Sequence, residues 1–258
     1  MTMSIVEIKH SLQRLRLSGA LATLETRLLE AQAGNLSALE VVSSLLQDET
    51  DRRHSRLLEK GFKRSGLPER ASLVELDWAY NPEVPKRACF ELNTLKFITE
   101  GLNAVLVGHT GTGKSHVAKA VGYSAVREGL YVVYVEADDL LVNLALTAAD
   151  PAAKQKTLKP LIDADLLILD DLFLRRRIAG DPADELQGLL HRRYSLRRSV
   201  LITTNRVVED WGQCLGDAAL SNAILDRLMH RGIPLHFKGR SYRLKQAAER
   251  LVNTEADA

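Results

Sequence analysis

Eight residues, Gly108-His109-Thr110-Gly111-Thr112-Gly113-Lys114-Ser115, constrain this chain more than any other stretch. They fit G-x-x-x-x-G-K-[ST] at every fixed position, with an apolar run before them and a helical pattern after. Glycines let the backbone curl so that successive N–H groups point at one anion. The helix that follows turns its positive end toward the same anion. Lys114 adds a point charge for the β- and γ-phosphates, and Ser115 a hydroxyl for Mg²⁺. The expected ligand is ATP with Mg²⁺, its phosphates seated on residues 108–115.

The rest of the chain supplies a frame for such a loop. Short apolar runs at 103–107, 131–135, 166–169, 200–204 and 233–237 alternate with helical stretches, one of them at 114–128 closed by Gly129. That alternation predicts parallel strands with crossover helices, hence a three-layer α/β sandwich. Residues 1–70 read differently, as helices only. Ser4 with Glu7 and Ser37 with Glu40 are capping boxes, and leucines and isoleucines recur behind them at helical spacing. Ser18-Gly19 weakens the first helical pattern, and Gly34-Asn35 stops it. We therefore expect a helical domain over 1–70 and a nucleotide-binding domain over 71–258. Residues 71–101 would be a linker, irregular around Pro82 and Pro85, followed by one leading helix over 86–100.

Three further patterns carry chemistry. Leu166-Leu167-Ile168-Leu169-Asp170-Asp171 is an apolar strand ending in two carboxylates, which is costly unless a cation or water meets them. Asp170 is placed to hold Mg²⁺, and Asp171 to polarise the attacking water. Val200 to Arg206 is a strand ending in Thr-Thr-Asn, which can set Asn205 between the carboxylates and the γ-phosphate. In Ile224-Leu225-Asp226-Arg227-Leu228, Arg227 lies on an apolar helix and is a candidate to complete the ATP site of a neighbouring subunit.

This order of motifs resembles the AAA+ ATPases, and specifically the IstB-like ATPases, helpers of bacterial insertion-sequence transposases related to the DnaC and DnaI helicase loaders. The resemblance runs over nearly the whole chain. It is carried by Leu15-Arg16-Leu17-Ser18-Gly19, Leu95-Lys96-Phe97-Ile98, Gly113-Lys114-Ser115-His116-Val117-Ala118, Thr204-Asn205-Arg206, Glu209-Asp210-Trp211-Gly212, Ala223 to Leu228 and Gly239-Arg240-Ser241-Tyr242-Arg243. It implies that His116 joins the nucleotide-binding stretch, that Asn205 is sensor 1 and Arg227 the arginine finger, and that Arg243 is a candidate second sensor. It also implies a helical partner-binding domain and an ATPase domain that assembles with copies of itself on double-stranded DNA and recruits or stimulates a transposase. The alternative partner is a replicative helicase. Two departures stand out: Asp-Asp replaces the common Asp-Glu, and Leu172-Phe173 follows where relatives often carry a glycine.

A formal net charge of +2 gives no global pull toward nucleic acid, so DNA contacts must come from local clusters. Arg175-Arg176-Arg177 is one candidate; His191, Arg192, Arg193, Arg197 and Arg198 form another. The basic run from Arg52 to Arg64 is a third. Contacts of this kind would be sequence-independent and salt-sensitive. A metabolic P-loop kinase is a competing class, but Asn205 and Arg227 argue for self-assembly. Two distant cysteines, no apolar run of about 18 residues and no signal-like start lead to an expectation of a cytoplasmic protein with no membrane partner.

Overall fold

A computed structural model describes residues 3–34, 36–173, 182–215 and 218–256. The chain divides into two compact units, Met1–Lys60 and Gly61–Ala258.

The first unit is helical. Helix α1 (Ile5–Arg14) starts at the Ser4 capping box, where Ser4 N–H donates to Glu7 Oε2 at 2.7 Å and Glu7 N–H to Ser4 Oγ at 3.3 Å. Helix α2 (Ser18–Gly34) and helix α3 (Ala38–Ser65) follow, the latter opened by the matching Ser37 and Glu40 box. The break between α1 and α2 falls at Arg16, at φ 57°, earlier than the expected weak point. Gly19 instead lies buried inside α2, and the reason is close packing. A Cβ there would sit 2.6 Å from both Asp48 O and Glu49 Cα, so only glycine lets the backbones of α2 and α3 approach this closely. The contact is closed by Gly19 N–H donating to Glu49 Oε2 at 2.5 Å and by a two-pronged Arg27–Asp48 pair at 2.8 and 2.9 Å.

In the second unit, helix α4 (Lys86–Asn93) and helix α5 (Lys96–Thr99) replace the single helix expected over 86–100. Leu95 breaks it in the left-handed region, at φ 64°. Leu92, Leu95, Phe97 and Ile98 are all buried. In one straight helix Leu95 and Phe97 would point about 200° apart, so the break is what lets both reach the core.

The remaining elements form the sandwich. In chain order they are strand β1 (Asn103–Gly108), helix α6 (Lys114–Arg127), strand β2 (Val132–Glu136), helix α7 (Ala137–Leu146), helix α8 (Pro151–Asp163), strand β3 (Leu166–Leu172), helix α9 (Pro182–Ser195), strand β4 (Ser199–Thr204), helix α10 (Trp211–Leu215), helix α11 (Ala218–His230), strand β5 (Gly232–Phe237) and helix α12 (Tyr242–Ala256). Among the described residues the sheet is five-stranded and parallel, in the order β2-β3-β4-β1-β5. This is the P-loop ATPase fold of the AAA+ type that the sequence predicts.

The two faces of β3 show why its apolar run is unbroken. Ile168 meets α6 at Gly122, while Leu167, Leu169 and Leu172 join α7, α9 and α11 in the main core. Each such side chain contributes roughly 1.5–3 kcal/mol by leaving water. Pro234 is tolerated because β5 is an edge strand. Strand β3 runs past the expected end at 169 and carries its acids within it. A register shift against β4 lies between Leu169 and Leu172, and Asp171 takes φ 52°. Such a bulge breaks strict alternation and re-aims the side chains of the acidic pair.

Candidate functional site

The C-terminal ends of β1, β3 and β4 lie side by side, which is where an open parallel sheet binds ligands. The loop from Gly108 to Ser115 connects β1 to α6. Gly111 and Gly113 take φ 80° and 101°, and a Cβ on Gly111 would collide with Ser241. Thr112 Oγ1 ties the curl by donating to His109 O at 2.7 Å. Lys114 is buried, and its Nζ donates to the carbonyls of Gly108 and His109, each at 2.8 Å. An ammonium has three donors, so two are spent on the loop and one remains.

Lys114 and Asp171 line one cavity of about 500 Å³ together with Thr110, Gly111, Thr112, Gly113, Ser115 and His116. Burial lowers the pKa of Lys114, and the charges of Asp171 and Asp170 oppose that shift. Burial, then the neighbouring Asp170, holds Asp171 above the usual carboxylate range, against the pull of Lys114 and Arg243. The loop's lysine and both acids therefore share one electrostatic site.

Asp170 is buried and wholly engaged by hydroxyls. Thr203 donates to its Oδ1, and Tyr134 lies 2.7 Å from its Oδ2. Thr203 also accepts the N–H of Asp171 at 2.8 Å, so one side chain fixes both acids. Neither Thr203 nor Tyr134 is a candidate on sequence grounds. The available signal is a polar side chain in an apolar strand, which needs a partner once buried.

A further wall of the cavity comes from residues taken as linker. Leu76, Asp77, Trp78, Tyr80, Asn81 and Val84 line the cavity. They are held by the Gly239–Arg243 run: Asn81 Nδ2 donates to Arg240 O at 2.8 Å and Arg240 N–H donates back to Asn81 Oδ1 at 2.9 Å; the run in turn meets the loop, where Tyr242 N–H donates to Gly111 O at 2.9 Å. Arg243 lines the same cavity. His116 spends its Nε2 on Ser72 O at 2.8 Å, which ties the loop's helix to this wall.

Other candidates fall elsewhere. Asn205 sits just past β4, half-buried, with no hydrogen-bond partner for Oδ1 among the described residues. Arg227 is half-buried on α11, donates to Ala223 O at 2.9 Å, and is not part of the cavity wall. Arg175, Arg176 and Arg177 lie outside the described residues. His191, Arg192 and Arg197 are exposed. Arg193 is a correction: it is fully buried and donates to the carbonyls of Leu161, Ile162, Ala164 and Ser199. A guanidinium so placed is a core fastener that no DNA phosphate can reach. Arg198 pairs with Asp165, and Arg53, from the basic run of α3, with Glu49. Among the described residues no helix is long and apolar enough to cross a membrane.

Known proteins resemble this chain in sequence and in fold. The chain is 34% identical over 250 residues to the ATP-binding protein of insertion sequence IS21 from Pseudomonas aeruginosa, covering 96% of this chain and 93% of that protein. Its fold is similar to that of the DnaC helicase loader (TM-score 0.50, 23% identity, 59% of this chain and 89% of that one). It is also similar to AMPPCP-bound DnaA from Aquifex aeolicus (TM-score 0.55, 20% identity, 73% and 56%). The profile of the IstB-like ATP-binding proteins matches residues 10–250, and the chain belongs to that family.

Proposed function

We propose that this protein binds and hydrolyses Mg·ATP, assembles with copies of itself on duplex DNA, and recruits or stimulates a transposase. One observation carries the reading: a phosphate loop whose buried lysine shares a cavity of nucleotide size with Asp171 and is electrostatically coupled to both Asp171 and Asp170. Membership of a family whose relatives belong to insertion sequences supports the transposition context.

The residues fit both ligands. Asp170 is a buried carboxylate with hydroxyl donors and, among the described residues, no ion-paired side chain, so its charge is left for a cation. Ser115 and Asp170 would hold Mg²⁺, which when bound neutralises charge on the β- and γ-phosphates. Loop N–H groups, the N-terminus of α6 and the spare donor of Lys114 receive the phosphates. Asp171 orients and deprotonates the attacking water, for which a pKa above the ordinary range makes it a stronger base. Aspartate is one methylene shorter than the usual glutamate, which loosens that contact and slows turnover. Asn205 Oδ1, without a partner, is free to hold the same water. Arg227, outside its own cavity, serves the neighbouring subunit, and the free base wall at 76–84 takes the nucleoside.

The test is sedimentation and ATPase turnover with and without duplex DNA. The wild type should form ATP-dependent assemblies with little sequence preference. Arg227→Ala should keep nucleotide affinity but lose roughly a thousandfold in turnover within the assembly. Monomers only, in the presence of ATP and DNA, would reject self-assembly. Capture of a replicative helicase instead of a transposase would reassign the partner.

A further inference from the structure

We propose that Tyr134 is a positioning residue for the metal-binding acid, and that Glu136 competes with that acid for its single proton. The inference rests on the reading of Asp170 as a Mg²⁺ ligand.

The geometry follows from strand register. On β2, which pairs in parallel with β3, Tyr134 stands opposite Ile168 and Glu136 opposite Asp170. Residues two apart on a strand share a face. The long tyrosine side chain therefore spans one such step toward the strand end, and its hydroxyl arrives between the two carboxylates. The Tyr134 hydroxyl lies 2.7 Å from Asp170 Oδ2 and 2.8 Å from Glu136 Oε1. No smaller residue in the same place reaches that far.

A phenol has one proton, and it donates to one carboxylate at a time. When it donates to Asp170, both oxygens of that acid are fixed, Oδ1 by Thr203 and Oδ2 by Tyr134. The free lone pairs then face a defined direction, which is what a small, geometrically demanding cation requires. When it donates to Glu136, Asp170 keeps only Thr203. The two rivals differ in setting: Asp170 is buried, whereas Glu136 is exposed.

Outer-shell partners of a metal ligand typically govern about ten- to a hundredfold in metal affinity or activity. The experiment measures ATP affinity by fluorescence of a labelled nucleotide while Mg²⁺ is titrated, in the full chain, with turnover as a second readout. Tyr134→Phe keeps the ring and removes the hydroxyl. It should raise the Mg²⁺ concentration at half effect about tenfold, lower turnover similarly, and leave Mg²⁺-free ATP affinity unchanged. Glu136→Gln should act in the other sense. Its amide donates to the phenol oxygen and leaves the phenol proton to Asp170, so the Mg²⁺ midpoint stays at or below that of the wild type. In the Tyr134→Phe background the Glu136→Gln change should have no effect on the midpoint.

A Tyr134→Phe midpoint equal to the wild type overturns the proposal. So does a Glu136→Gln midpoint raised like that of Tyr134→Phe, or a loss of Mg²⁺-free affinity in Tyr134→Phe, which would mark a merely structural ring. Failure of the site reading looks different: the wild type itself would show no effect of Mg²⁺ on ATP binding, and the proposal would fall with it.

Discussion

Among the described residues two basic side chains are buried in the second unit, and they are buried for opposite reasons. Arg193 spends its terminal nitrogens on four backbone carbonyls, three at the end of α8 and just after it and one at the start of β4. Lys114 spends two donors on its own loop and lines an open cavity together with Asp171. Burial of a cation costs several kcal/mol unless it is met. Arg193 is met by carbonyls at both terminal nitrogens, and it is fully buried and lines no part of the cavity even though its Nε lacks a partner among the described residues, so its role is internal. Lys114 is met only in part, so the remaining interaction belongs to a ligand. The distinction lies in whether a cavity adjoins the unspent donor, and it converts directly into measurements.

The largest effect on stability should come from Arg193→Ala. It orphans several buried carbonyls, each costing about 1–3 kcal/mol. A loss on the order of 3 kcal/mol or more is expected in urea unfolding, with nucleotide affinity of the folded protein unchanged. A variant that unfolds at the wild-type urea concentration would show that water or neighbouring groups replace the guanidinium, and the two cations would no longer differ in kind.

Lys114→Ala should show the reverse pattern. Hydrogen bonds to charged groups contribute about 1.5–3 kcal/mol, so ATP affinity should fall roughly ten- to a hundredfold. The fold loses little, because burial already disfavours the charged lysine and lowers its pKa. Calorimetry of ATP binding beside thermal unfolding separates the two. Destabilisation comparable to that of Arg193→Ala, with binding retained, would make Lys114 a second fastener.

The contrast also marks what could be read from the sequence. The phosphate loop, the acidic pair and the parallel sheet were legible because each is written in consecutive residues: a strand, a turn of fixed glycines, a helix. Arg193 was not, since a basic run on a helix looks the same whether it faces solvent or the carbonyls of Leu161 and Ser199. The bend at Leu95 was hidden for a related reason, a local helical preference overridden by the burial of Leu95 and Phe97. The wall at 76–84 looked like linker because its partners, Arg240 to Tyr242, lie about 160 residues away in the chain. Thr203 and Tyr134 gain meaning only when β2, β3 and β4 are set in register.

A third cation, Arg27 in the first unit, provides the graded case and the smallest effect. It is about a third exposed and is met by carboxylates instead of carbonyls, gripping Asp48 with two hydrogen bonds and Glu30 with one. The bonds to Asp48, chiefly, hold the Asp48 pKa down at about 2. The sign is that of a depressed acid. The pair's contribution is fully present above the unfolded value near 3.9, and it is lost as pH falls from there toward about 2. Asp48→Asn should therefore unfold at lower temperature than the wild type at neutral pH, and the gap should close as pH drops through that window. Solvent screening keeps the gap small. Arg193→Ala, whose acceptors are carbonyls that do not titrate, should keep its deficit across the same range. A gap for Asp48→Asn that persists at pH 2 would mean that Arg27 holds α2 to α3 by its hydrocarbon stem and not by charge.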